Sequence, residues 1–210
     1  MPASAVASLN APRMAEAPQG ATVLQGVRRD KFPRDSNGNN AVSSHIIFER
    51  LYDAVEPPVR ATAASAGFDL RAWFAKDTLD VWAGDARAAR PLEGIAGART
   101  LMLAPGDRAV IPLGFRATLP QGIEAQVRAR SGTALKLGLI LANGPGTIDP
   151  DYTGEWGVLV LNASSAAVRI AHGDRIAQLV LARFEVMAFV PGTVVQSTER
   201  AGGFGSTGTR

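Results

Sequence analysis

The chain has 210 residues, 46% of them hydrophobic and 20% charged, with a formal net charge of +3, which suits one soluble globular domain with appendages. It has no cysteine and only two histidines, His45 and His172, which excludes disulfides, thiolate nucleophiles and cysteine-held metals and argues against a histidine-rich metal site or a Ser-His-Asp triad. No Lys/Arg run marks a nucleic-acid groove, and no apolar run approaches the roughly 20 residues needed to span a membrane, so neither partner is expected.

Residues 1–44 are rich in Ala, Ser, Pro, Gly and Asn and show no sustained apolar period, which predicts a disordered N-terminal extension. The first 29 residues hold three arginines and a single acid, Glu16, as a transit peptide does. A compositional bias toward Ala and Arg is the simpler reading, so a cytoplasmic protein is expected, with an organelle as the outcome if the extension is cleaved. No secretory h-region precedes the sequon Asn162-Ala163-Ser164, which is therefore expected to be inert.

From residue 45 to 196 the text is that of a β protein. Residues 73–100 interrupt it with mixed charges, glycines and two tryptophans, and read as an insertion of undecided purpose. "AVIPLGFRATL" (109–119), "GVLVLN" (157–162) and "IAQLVLARF" (176–184) are short apolar runs bounded by Gly, Pro, Asn or Asp. "EAQVRAR" (124–130) alternates, with Ala125, Val127 and Ala129 on one face and charged or amide side chains on the other, the period of a half-buried strand. "GDR" precedes a strand-like run at both 106–108 and 173–175, a reused turn into a strand. No long amphipathic helix stands out. Many short strands with frequent turns predict an all-β fold, a sandwich or barrel.

Three stretches carry chemistry. "RARSGTA" (128–134) sets Arg130, Ser131 and Gly132 at a strand end, a plausible clamp for anionic oxygens. "GTIDPDYTGEW" (146–156) packs three carboxylates and two aromatics into one turn-rich segment. Counting from Asp149, Asp151, Thr153 and Gly154 imitate a calcium loop. The series fails at position 12, where Val160 stands in place of the required glutamate, and Pro150 intrudes at position 2. A hairpin tip is the better reading, with Asp149 and Tyr152 beside one pocket and Asp151 and Glu155 structural or facing solvent. The tail "STERAGGFGSTGTR" (197–210) is too glycine-rich to fold alone. Read blandly it is disordered; read functionally it is a flexible arm that closes over a flat ligand with Phe204 and offers N–H and O–H groups from Gly205, Ser206 and Thr207. His172, a lone histidine, is read as a surface or satisfied core residue.

In order and spacing, "AGFDLRA" (66–72), "RSGTALKLG" (130–138), "NGPGTIDPDYTGEWG" (143–157), "GDRIAQL" (173–179) and "GGFGSTG" (202–208) resemble the five motifs of the trimeric deoxyuridine triphosphatase family. The resemblance runs from about Ile46 to the C-terminus. It implies a β-barrel or jelly-roll subunit in a homotrimer with active sites shared between chains. The implied reaction is attack of water on the α-phosphorus of dUTP, giving dUMP and pyrophosphate. That would limit uracil incorporation into DNA and supply dUMP for thymidylate synthesis. It further implies Mg²⁺ on the triphosphate, with Asp69 near the metal but not bound to it directly.

By motif position, Asp149 would activate the water. Asn143 and the backbone at Thr147, Ile148 and Gly157 would read uracil, and Tyr152 would pack on the deoxyribose. Arg130, Ser131 and Gly132 of a neighbouring subunit and Gln178 would hold phosphates. Phe204 would cap the uracil, with Gly205, Ser206 and Thr207 near the γ-phosphate and Arg200 beside them. The last motif is shorter than the family's, since only Ala201 separates Arg200 from Gly202. The competing readings are a dCTP deaminase, or a bifunctional deaminase–triphosphatase, on the same fold, and a regulator that binds a partner through residues 73–100.

Overall fold

The computed structural model describes residues 45–195. In chain order these form β1 (Ile47–Arg50), β2 (Phe68–Arg71), β3 (Thr78–Ala83), β4 (Ala86–Pro91), β5 (Thr100–Leu103), β6 (Arg108–Pro112), β7 (Phe115–Thr118) and β8 (Ile123–Ala129). They continue with α1 (Ser131–Leu137), β9 (Leu139–Leu141), β10 (Gly146–Ile148), β11 (Gly157–Asn162), β12 (Val168–Ala171) and β13 (Arg175–Arg183). The fold is all-β, as the turn rhythm predicts. The expectations for residues 1–44 and 197–210 lie outside the described residues.

Two sheets dominate. One has the order β10-β8-β13-β2 and the other β4-β3-β6-β11-β9, and the pairs β1-β7 and β12-β5 complete the set. A single apolar cluster draws on both large sheets: Leu70, Ala125, Val127, Ala177 and Leu179 from the first, Val81, Ile111, Leu139, Val158 and Val160 from the second. Strand β8 realises the alternation read from "EAQVRAR", with Ala125 and Val127 buried and Arg128 exposed. Val160, the residue that broke the calcium-loop count, is fully buried in β11.

Three elements differ from the sequence reading. The run 109–119 is two strands in two sheets, split at Gly114, whose φ of 73° belongs to the left-handed region. A Cβ there would lie 2.6 Å from the Trp73 ring and 2.9 Å from Val55 Cγ2, so the corner admits only glycine. Residues 73–100 do not interrupt the β pattern but extend it. β3 and β4 form an antiparallel hairpin around Gly84 (φ 58°), and β3 joins the five-stranded sheet beside β6. Its composition misleads because β4 is an edge strand, exposed along most of its length. Beyond the strand end at Ala129, residues 131–137 turn into α1. Having seven residues and burying none, α1 presents no apolar stripe, and it stops at Gly138 (φ 63°).

The two GDR turns share one device. Asp107 Oδ2 accepts the Ala104 amide and Asp174 Oδ2 the Ala171 amide, each at 2.8 Å, and both glycines have φ 82°. Asp107 is buried and also ion-paired with Arg90 of β4. Asn162, the sequon residue, is fully buried. Its Nδ2 donates to the carbonyls of Leu103 (2.9 Å) and Ala166 (2.8 Å), and its Oδ1 accepts Ser164 N and Oγ. A side chain so enclosed is a structural tie between β11 and the loops around it. Asn162→Leu should therefore lower unfolding free energy by about 2–4 kcal/mol, because buried carbonyls lose their donors; the shift in urea midpoint measures it.

Candidate active site

The segment read as a hairpin tip has a different construction. β9 pairs with β11, Leu141 opposite Val160, and the chain between them leaves the sheet. It turns at 142–145, where Gly144–Pro145 is cis, and β10 then pairs with β8 of the other sheet. Residues 149–156 bring it back to β11. The excursion thus bridges the two sheets, and a cleft of about 250 Å³ lies in its crook.

Asn143, Thr147, Ile148, Asp149, Tyr152 and Gly157 all line this cleft, over an apolar floor of Val110, Val127 and Leu159. β10 is the outer strand of its sheet, so its far edge keeps backbone donors and acceptors for a ligand. Gly157 has a packing reason, since a Cβ would stand 2.7 Å from Val110 Cγ1. Asp149 is exposed, and its carbonyl accepts the Tyr152 amide at 3.1 Å in a tight turn. The Tyr152 hydroxyl donates to the Glu155 carbonyl at 3.0 Å. The ring lies so close over Gly154 that a Cβ on that residue would be 2.6 Å from Oη.

Asp151 faces solvent as expected. Glu155 is also structural: the residue lines the cleft, and its carboxylate accepts the Gly114 amide at 3.0 Å. Sequence gave no sign of this partner, because it is 41 residues away.

Arg130 and Gln178 belong to a second cluster. Arg130 Nε meets Asp69 Oδ1 at 3.0 Å, and Arg175 Nη1 meets Asp69 Oδ2 at 3.1 Å. Two guanidiniums face one carboxylate, which leaves a net positive corner. Arg130 also donates to the Arg175 carbonyl at 3.2 Å, and Gln178 Nε2 to the Ala129 carbonyl at 2.9 Å. Gln178 packs onto Gly67, where a Cβ would come 2.5 Å from its Oε1. Ser131 and Gly132 open α1 next to this cluster, and the space at Gly132 is open. Arg175 was missed, although "GDRIAQL" contains it.

None of Arg130, Ser131, Gly132 or Gln178 lines the Asp149 cleft. The end of β10 next to Asp149 lies opposite Ala125. From there to Arg130 the chain runs five residues along β8, about 16 Å at ~3.3 Å per residue. Arg200, Phe204, Gly205, Ser206 and Thr207 fall outside the described residues. Among the described residues no three His, Cys, Asp or Glu side chains converge as a metal site. His172 accepts the Phe74 amide on Nδ1 at 3.1 Å and packs 4.4 Å from the Trp73 ring, a half-buried histidine with a structural partner.

Comparison with known proteins agrees with this geometry. The sequence model of the dUTPase family matches residues 95–208. The deoxyuridine 5'-triphosphate nucleotidohydrolase of Roseobacter denitrificans is 45% identical over 141 residues, covering 60% of this chain and 93% of that protein. Two solved phage enzymes share the fold. A G164S mutant of the dUTPase of Staphylococcus bacteriophage 80alpha with dUpNHpp has a TM-score of 0.61 at 20% identity, covering 79% of this chain and 99% of that one. A variant dUTPase of phage phi11 of S. aureus, which coordinates a structural Mg(II) ion, has a TM-score of 0.56 at 19% identity, covering 73% and 99%.

The contact between Tyr152 and Gly154 has a direct consequence. Gly154→Ala should displace the Tyr152 ring with little effect on the remainder of the fold. With only two tyrosines in the chain, ring-proton NMR shifts report the displacement, and a thermal melt within about 3 °C of wild type checks the fold.

Proposed function

The chain belongs to the dUTPase family, and from that premise we propose that it hydrolyses dUTP to dUMP and pyrophosphate at the cleft lined by Asn143, Asp149 and Tyr152. One observation carries the assignment: a carboxylate, an aromatic ring and a free strand edge converge on a single cleft. Asp149 takes a proton from water, and the water oxygen attacks the α-phosphorus. The bond from that phosphorus to the bridging oxygen breaks, and pyrophosphate leaves. The edge of β10 at Thr147 and Ile148, with Asn143 and the Gly157 backbone, reads uracil. Cytosine exchanges an acceptor for a donor at its exocyclic position, so a donor there clashes and discrimination is large. Tyr152 packs on the sugar and leaves no room for a 2′-hydroxyl. The deaminase and regulator readings have no observation of their own in their favour.

Mg²⁺ fits as an ion carried by the triphosphate, where it offsets the negative charge of the phosphate oxygens. Both carboxylate oxygens of Asp69 are already engaged by Arg130 and Arg175, which suits contact with the ion through water and not direct ligation. A homotrimer is part of the same reading. Arg130 does not line the Asp149 cleft and stands about 16 Å along β8 from the end of β10 beside it, which is consistent with a site shared between copies. In that assembly the arginine, with Ser131 and Gly132, would serve the cleft of a neighbouring copy, and Gln178 would add a further phosphate contact. An apolar stretch supports such an assembly: Val186, Met187, Phe189, Val190, Val194 and Val195 are each at least 80% exposed. Beyond it, the arm with Arg200, Phe204, Gly205, Ser206 and Thr207 would close over bound nucleotide.

Two experiments test the reading. Asp149→Asn should leave dUTP binding largely intact and lower pyrophosphate release by about 10²–10⁴-fold; turnover near wild type would remove Asp149 from the mechanism. Refolding equal amounts of Asp149→Asn and Arg130→Ala chains together should recover about a quarter of wild-type activity, since randomly mixed sites draw each residue from a different copy. No recovery would place both residues in one chain.

A further inference from the structure

We infer that Glu155 is the positioning residue that holds Tyr152 against the sugar, and so sets the preference for deoxyribonucleotide over ribonucleotide. The inference rests on the function proposed above. Tyr152 is held at two points, its amide on the Asp149 carbonyl (3.1 Å) and its hydroxyl on the Glu155 carbonyl (3.0 Å). The first point sits within the exposed loop. The second is only as firm as Glu155 itself.

Glu155 is firm because its side chain reaches out of the loop. Its Oε1 accepts the Gly114 amide at 3.0 Å, a charge-assisted hydrogen bond. Gly114 is among the least movable points nearby: Trp73 and Val55 crowd it, and its carbonyl accepts the Leu51 amide at 2.9 Å. The next residue, Trp156, is 1% exposed and fixed to the same corner, donating to the Phe115 carbonyl (2.9 Å) and accepting from the Leu113 amide (3.1 Å). The chain of contact runs from the rigid corner through Glu155 to the phenol, with Gly154 leaving space for the ring. A steric gauge that must reject one oxygen atom works only if the ring cannot yield by a fraction of an ångström. The Trp156 amide shares a peptide plane with the Glu155 carbonyl, so its bond to Phe115 holds one side of that residue, and the Glu155 carboxylate on Gly114 is the second tie, which keeps Glu155 from turning about that peptide.

The readout is the ratio of kcat/KM for dUTP to that for UTP, measured in wild type, Glu155→Ala, Glu155→Gln and Tyr152→Phe. Glu155→Ala should lower the ratio about tenfold, chiefly by admitting UTP, the size expected for loss of one hydrogen bond to a charged group. Glu155→Gln keeps an acceptor at Oε1 and should restore most of the ratio. Tyr152→Phe keeps the ring but loses its tie to the Glu155 carbonyl, and should shift the ratio in the same direction as Glu155→Ala. A purely structural role would lower both rates together and leave the ratio unchanged, which overturns the inference. Should Glu155→Ala not fold, an unchanged ratio in Tyr152→Phe overturns it equally. Wild-type turnover of dUTP in the same assay separates the two levels: with turnover present, an unchanged ratio removes Glu155 alone and leaves the proposed reaction standing.

Discussion

Strands β9 and β11 are neighbours in one sheet, yet the chain between them must contribute β10 to the other. That topological demand creates the cleft. A chain crossing between layers leaves a gap at the crossing, and here the gap is floored by Val110, Val127 and Leu159 and rimmed by the crossing segment itself. The return path, residues 149–156, contains no strand or helix to stiffen it. It is held instead by hydrogen bonds at its ends and by the Glu155 carboxylate on Gly114. The geometry of Asp149 and Tyr152 descends from those few bonds.

The corner at Gly114 is the other half of the constraint. It lets one apolar run supply β6 to the five-stranded sheet and β7 to the pair with β1. The same tight approach of Trp73 and Val55 that forbids a side chain makes the corner stiff enough to serve as an anchor. Packing and site geometry are here one problem: Trp73 lies between the corner and His172, which is tied in turn to the Phe74 amide.

How much of this was legible depended on the range of the interaction. The strand around Ala125–Val127 was readable because a two-residue period records burial directly, and that around Val158–Val160 because a short apolar run is bounded by glycine and asparagine. The six cleft residues were readable because they fall within fifteen positions of one another and carry the family's motif. The helix at 131–137 was not, since seven residues with no buried face have no period to show. The β3–β4 hairpin was obscured because an exposed edge strand has the composition of a loop. Glu155 was readable only as structural or facing solvent: it stands beside Asp149 and Tyr152 in sequence, but the partner that decides between the two is a glycine 41 positions earlier.

That hairpin also bears on the cleft. With β3 in place, β6 has a strand on each side, β3 and β11, and is no longer an edge. β6 supplies Val110 to the cleft floor and leads into the Gly114 corner. An edge strand is held by one ladder and frays more readily than an interior one. The hairpin is fastened in its turn, through the Arg90–Asp107 ion pair and the Arg90 hydrogen bond to the Met102 carbonyl. Asp107 stands at the start of β6, so the pair ties the outermost strand to the turn that launches β6 toward the cleft. The residues that looked most foreign to the fold thus brace the strand from which the proposed nucleotide site is hung.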